Sequence, residues 1–254
     1  EELEIAKEGA EIDVDVVSES ISDAIVAGSH DIILADLLHA AGVLDKVKLL
    51  SIGSYAGLDL IARGYIDVAT IHLYDADTGV YNVPYLERLG VKNVVLVKGY
   101  SRRLVLAFQR GNPKNIRGFA DILRPGVIFV NRNRGSGTRI YIDYVLRRLA
   151  EKLGEDFESL KSKIRGYHYE VPTHNAVAAA ISQGRADVGV CSEYAAVVYG
   201  LDFIPLTWEE YDFVVSIRSL NKHSAKTVID FLTSESARKI IESKPGYRAP
   251  KDLG

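Results

Sequence analysis

Ser54-Tyr55-Ala56-Gly57-Leu58-Asp59-Leu60-Ile61-Ala62-Arg63-Gly64-Tyr65-Ile66-Asp67-Val68-Ala69 has a counterpart 120 residues later. That counterpart is His174-Asn175-Ala176-Val177-Ala178-Ala179-Ala180-Ile181-Ser182-Gln183-Gly184-Arg185-Ala186-Asp187-Val188-Gly189. Each run reads as a small polar helix start, an apolar helix, Gly-x-x-Asp and then a strand. Gly64 and Gly184 fall where a helix ends in the left-handed conformation that glycine adopts without a Cβ penalty. A second pair lies 107 residues apart: Gly28-Ser29 followed by Asp36-Leu37, and Gly135-Ser136 followed by Asp143-Tyr144. Two matches in the same order predict two similar α/β lobes, and the unequal offsets make the internal symmetry weak.

Outward from these runs, short apolar stretches alternate with amphipathic ones. Strands are expected at 21–27, 48–52, 68–73, 93–97, 104–109, 127–130 and 188–191. Helices are expected after Gly28-Ser29-His30-Asp31 to about Ala41, over 56–63, 119–123, about 138–153 and 176–183. This alternation predicts an α/β architecture with mainly parallel sheets. Ahead of it, Glu11-Ile12-Asp13-Val14-Asp15-Val16 has the period of two of a half-exposed strand.

The 254 residues, 47% hydrophobic and 26% charged, have ordinary globular composition. No apolar run reaches the roughly 18–20 residues of a membrane helix, so no membrane insertion is expected. One cysteine, Cys191, excludes an internal disulfide and a cysteine-based zinc site, and it reads as a core residue. The net charge of −3 is unevenly placed. Residues 1–97 carry 6 basic and 17 acidic side chains, and residues 98–148 carry 12 and 2. The overall charge and the lack of a helix-turn-helix region exclude nucleic acid as a partner, while the basic middle favours a small anion. The chain has no methionine and reads as a fragment, a processed form or an engineered sequence.

Four predicted helix starts carry small polar residues: Gly28-Ser29-His30, Gly53-Ser54-Tyr55, Gly135-Ser136-Gly137-Thr138 and Thr173-His174-Asn175. Helix N-termini expose unpaired N–H groups and a partial positive charge, which suits an anion. Each Ser or Thr taken singly reads first as a helix cap. Four in corresponding places point to a site at the carboxyl ends of the strands. In Asn131-Arg132-Asn133-Arg134-Gly135-Ser136-Gly137-Thr138-Arg139 three arginines interleave with small residues. The spacing is not that of a phosphate P-loop. Arg139, directly after the small residues, is the expected ligand contact, with Arg132 and Arg134 supplying field and lobe contacts. The candidate ligand-binding set is Ser29, His30, Ser54, Tyr55, His72, Ser136, Gly137, Thr138, Arg139, Thr173, His174 and Glu193. No His-x-x-x-His or His-Glu-x-x-His spacing occurs, so no metal site is expected, and no catalytic residue or cofactor is assigned. His168 reads as structural. Asp75, Asp77 and Glu193 are carboxylates near the expected cleft whose spacing specifies no acid–base pair.

Several of these stretches together resemble a known family. They are Gly28-Ser29-His30-Asp31, Ala62 to Leu73, Tyr81-Asn82-Val83-Pro84-Tyr85, Arg110-Gly111-Asn112-Pro113, Asn131-Arg132 with Arg134 to Arg139, and Pro245-Gly246-Tyr247. Over roughly residues 24–250 the chain is similar to the periplasmic-binding-protein-like domain found joined to the molybdopterin biosynthesis protein MoeA. The Ser-Gly-Thr helix start also resembles that of tungstate-binding receptors. The resemblance implies a type II periplasmic-binding-protein fold, two α/β lobes around a hinged cleft. Lobe one would comprise 21–99 and 199–254, lobe two 100–198, and residues 1–20 would be a leader strand, the tail of an upstream MoeA-type domain. It implies a non-catalytic module in the cytoplasm, binding an oxyanion such as molybdate or tungstate and linked to molybdenum cofactor biosynthesis. The MoeA catalytic domains are absent. The alternative is an enzyme or regulatory sensor of the same fold that acts on, or senses, a small organic acid.

Overall fold

The structure, a computed structural model, describes residues 23–250. The acidic alternation at 11–16 and the leader to residue 20 lie outside the described residues. The chain runs through β1 (Ala24–Gly28), α1 (Ile32–Ala40), β2 (Val47–Ser51), α2 (Ser54–Ala62), β3 (Val68–Ile71), α3 (Val83–Arg88) and β4 (Val94–Phe108). It continues through β5 (Phe129–Arg132), α4 (Gly137–Leu153), α5 (Phe157–Lys163), β6 (Glu170–Val171), α6 (His174–Ser182), β7 (Val188–Ser192) and α7 (Glu193–Val198). The last elements are β8 (Asp202–Ser216), α8 (His223–Leu232), α9 (Glu235–Glu242) and β9 (Tyr247–Arg248).

The strands form one sheet in the order β2-β1-β3-β8-β4-β7-β5-β6, with β9 added to β4. It is parallel at its two ends and antiparallel in the middle. The expected mainly parallel sheet is therefore a mixed one. The difference comes from β4 and β8, two 15-residue strands paired antiparallel along most of their length. The strands expected separately at 93–97 and 104–109 are the two ends of β4. The chain passes between them at Gly99, where a Cβ would stand 2.3 Å from the Tyr211 carbonyl oxygen. Only glycine lets the partner backbone come so close, and the register shift between Val97 and Tyr100 absorbs the bend.

The two repeated runs have matching roles. Gly64 and Gly184 end α2 and α6 with φ of 78° and 72°. Asp67 then accepts the Ile25 N–H (2.7 Å), and Asp187 accepts the Ile128 N–H (2.8 Å). Each aspartate thus caps the start of a neighbouring strand, which is a structural duty.

The core lies in two groups on either side of the middle of β4. One takes side chains from β1–β3, α1, α2 and the chain after Tyr211, including Val26, Leu37, Leu58 and Phe213. The other takes them from β4 after Arg103 to the start of β8, including Leu104, Phe129, Leu146 and Val190. Cys191 is fully buried there, as expected of a core residue, and burial pushes its thiol up to about 12.

Candidate functional site

Where the two halves meet, β4 places Arg102 opposite Glu209 of β8. Successive strand residues face opposite ways, so Arg102 and Glu209 share one face while Arg103 and Trp208 share the other. Arg102 is fully buried. Its Nε donates to Glu209 and its Nη1 to Asp31, the N-cap of α1. Nη1 also reaches the His30 carbonyl oxygen at 3.3 Å. The other guanidinium nitrogen, Nη2, has no hydrogen-bond partner among the described residues. Burial opposes the charge on Arg102, and Glu209 and Asp31 more than restore it.

Arg132, the last residue of β5, is buried beside it. Its Nη2 donates to the Pro172 carbonyl (2.9 Å) and its Nη1 to His174 Nδ1 (3.3 Å), which leaves Nε without a partner among the described residues. Burial and the neighbouring Arg102 bring its guanidinium down to about 10, still charged at neutral pH. The His174 Nδ1 also accepts the Ser192 N–H at 3.1 Å. It must therefore be unprotonated, and the neutral ring carries its proton on Nε2. That Nε2–H, the Thr138 hydroxyl and His30 Nδ1 are likewise buried without a partner among the described residues. His72 completes the cluster, with Nδ1 3.2 Å from Glu209 Oε2. Burial lifts the Glu209 carboxyl, but Arg102 and His72 hold it down to about 2. Burial first, then Arg102 and Arg132, keeps His174 well below the usual histidine range. Burial also lowers His30 and His72, against the opposing pull of Asp31 and Glu209 respectively.

The N-terminus of α4 closes over this cluster. A Cβ at Gly137 would stand 2.2 Å from the His72 carbonyl oxygen and 2.5 Å from its Nδ1. Further out, the Tyr74 ring meets Tyr144 and Tyr141 of α4, with centroids 5.4 and 6.5 Å away.

His30, His72, Gly137, Thr138 and His174 of the expected set are thus brought together. Several others have different duties. Ser136 accepts the Arg139 N–H and donates to the Asn133 carbonyl, and Thr173 accepts the Ala176 N–H. Both are helix caps. Ser54 accepts the His72 N–H at 3.3 Å and so helps hold that residue. Ser29 is buried at the end of β1, where its carbonyl accepts Tyr211 OH at 2.6 Å. Tyr55 is partly exposed and packs edge-on against Tyr85. Glu193 pairs with Arg103, on the sheet face away from Arg102.

Arg139 differs most from the expectation. Its Nε bridges both Asp143 oxygens at 3.0–3.1 Å, and its Nη1 binds the Arg132 carbonyl and Glu170, each at 2.9 Å. The guanidinium also lies over the Tyr167 ring. Arg139 therefore braces the end of β5, which carries Arg132. Arg134 is exposed and lies 3.8 Å from Glu170. Arg102, Asp31 and Glu209 were not among the expected site residues. The signal for two of them was ordinary charge inside strands, Arg102 before Leu104-Val105-Leu106-Ala107 and Glu209 before Tyr211-Asp212-Phe213-Val214-Val215. A charge within such a run is stable only when paired.

Chemically, the cluster is a set of buried donors with its own carboxylates already bonded. Among the described residues no group of His, Cys, Asp and Glu is arranged to hold a metal ion. No helix among them is long and apolar enough to cross a membrane.

Residues 36–233 match the PBP superfamily domain. The chain is 36% identical over 196 residues to the uncharacterised protein YvgK of Bacillus subtilis (strain 168), covering 77% of this chain and 60% of that one. It thus spans about three fifths of that relative's length. A protein of Clostridium pasteurianum, from the 5′ region of a 2Fe-2S ferredoxin gene, is 35% identical over 85 residues, 33% of this chain and 75% of its own. Among solved structures, the sulfate-binding protein SubI of Mycobacterium tuberculosis H37Rv superposes with a TM-score of 0.64 at 17% identity, over 91% of this chain and 88% of its own. An ABC-type phosphate transport receptor of Vibrio cholerae gives 0.55 at 18% identity, over 89% and 100%. The fold is the expected two-lobed, type II periplasmic-binding-protein-like one. Two expectations change. None of these relatives is described through molybdopterin biosynthesis, so the resemblance holds for the fold and not for a link to MoeA. The cytoplasmic location is withdrawn, because solved structures of this fold include an ABC-type phosphate transport receptor and a protein described as periplasmic.

Proposed function

The chain belongs to the PBP superfamily, and on that premise we propose that it binds a small oxyanion between its lobes, held by Arg102, Arg132, His174, Thr138 and His30. The observation that carries this reading is the group of buried N–H and O–H donors without partners among the described residues, contributed by both halves of the chain. A buried donor without a partner costs about 1–3 kcal/mol, more when charged, and a ligand rich in acceptors recovers that energy. The lobes are taken as 21–99 with 199–254, and 100–198. The solved neighbours described as binding sulfate or receiving phosphate support the ligand class. Molybdate and tungstate are the finer part of the proposal, since each presents four acceptor oxygens and a double negative charge to the same donors. A link to molybdenum cofactor biosynthesis would follow only if one of them is the ligand.

Calorimetry with sulfate, phosphate, molybdate and tungstate tests the reading. At least one is expected to bind, and Arg132→Met should weaken it by about 10- to 150-fold, the scale of one charged hydrogen bond at 1.5–3 kcal/mol. Silence with all four at millimolar concentration would remove the oxyanion reading, and unchanged affinity in the variant would remove Arg132 from the site.

A further inference from the structure

The charges around the cluster balance before any ligand enters. Two guanidiniums, Arg102 and Arg132, face two carboxylates, Asp31 and Glu209. Both carboxylates are fully engaged. Asp31 accepts from Arg102, the Ile33 N–H and Tyr247 OH, and Glu209 accepts from Arg102 and His72. A divalent anion at the free donors would therefore add two negative charges to a buried region with no surplus positive charge. Three imidazoles stand there to compensate: His30, His72 and His174. The charged groups acting on them are Asp31, the N-cap of α1, with Glu209 of β8, Arg102 of β4 and Arg132 of β5.

The three rings are not equivalent. Protonating His174 requires a proton on Nδ1, which would set two N–H groups, those of the ring and of Ser192, against each other. Among the described residues His30 has no carboxylate bonded to its ring, and the adjacent Asp31 is committed elsewhere. His72 alone of the three has its ring on a carboxylate, Glu209, which fixes the first proton on Nδ1 and leaves Nε2 open to a second. We propose that a divalent oxyanion enters this site together with one proton from solvent, and that this proton lodges on Nε2 of His72 while Nδ1–H stays on Glu209. The inference rests on reading the cluster as an oxyanion site and adds how binding is regulated. The sign is fixed by linkage. A nearby dianion favours imidazolium, so the bound form holds more protons than the free form, and affinity rises as pH falls. Acidification promotes capture and a rise in pH promotes release.

Sulfate is the probe, because it stays fully ionised around neutrality and any proton taken up must go to the protein. Calorimetry at about pH 7 in two buffers of different ionisation enthalpy is expected to show uptake of about one proton per sulfate. Affinity should fall by up to about tenfold per pH unit above that. His72→Gln should bind more weakly, with uptake near zero and little dependence on pH. Binding of sulfate to the unaltered protein without proton uptake would overturn the proposal and leave the oxyanion reading standing, as would full uptake in His72→Gln. Absence of heat with sulfate, phosphate, molybdate and tungstate alike would overturn both. If His72→Gln fails to fold, His72→Ala takes its place, and absence of uptake in the unaltered protein overturns the proposal by itself.

Discussion

Arg132 and Arg139 lie seven positions apart in one arginine-rich segment, yet they do opposite things. Arg139 sits on the first turn of α4, and Asp143, four residues on, lies on the same helical face. That spacing was legible in the sequence and favours an internal ion pair over a ligand contact. Arg132 ends a buried strand, where no carboxylate bonds its side chain among the described residues, so its charge faces the cluster. Arg139→Ala should therefore act on the fold. A loss of roughly 1.5–3 kcal/mol is expected from its charged hydrogen bonds, read as a lower midpoint of denaturation. Sulfate affinity should change by less than about threefold. A large loss of affinity at unchanged stability would return Arg139 to the site. Arg102 and Glu209 were harder to find in the sequence. Their pairing depends on the register of two strands about a hundred residues apart, and no local pattern announces register.

Local patterns served better for elements. Helix ends at Gly64 and Gly184, the buried strand β7 and the long α4 all follow from periodicity and capping. What periodicity could not show is that β4 and β8 are single strands serving both lobes. Gly99 interrupts the apolar pattern of β4, and Pro205, Glu209 and Glu210 interrupt that of β8. Gly137, at a helix start expected to line an anion site, also touches the other lobe at His72. Gly137→Ala tests that contact. Alanine suits a helix better than glycine, so α4 itself should persist. The added methyl group meets the His72 backbone, which cannot step aside, and the lobes should be held apart. Unchanged far-UV circular dichroism, an increased radius of gyration in solution scattering and sulfate binding at least about tenfold weaker are the expected results. An unaltered radius and affinity would show that the contact is not needed for closure.

Across the whole molecule, the basic stretch 98–148 by itself suggests an anion drawn into a cleft. Much of that charge is internally compensated: Lys98 pairs with Glu210 and Asp212, Arg124 with Asp121, and Arg148 with Glu151. The specific part is smaller, two buried arginines where the lobes meet, with three histidines around them. The N-terminus of α4, which carries Thr138, meets this region at His72, and the Tyr74, Tyr141 and Tyr144 rings pack across the same junction. A crystal structure grown with tungstate, whose electron-rich metal marks its own position, would locate the oxyanion proposed for this junction. Tungstate oxygens are expected within ~3 Å of Arg102 Nη2, Arg132 Nε and His174 Nε2. Strong tungstate density elsewhere, with none at these three nitrogens, would mean that the junction is not the oxyanion site.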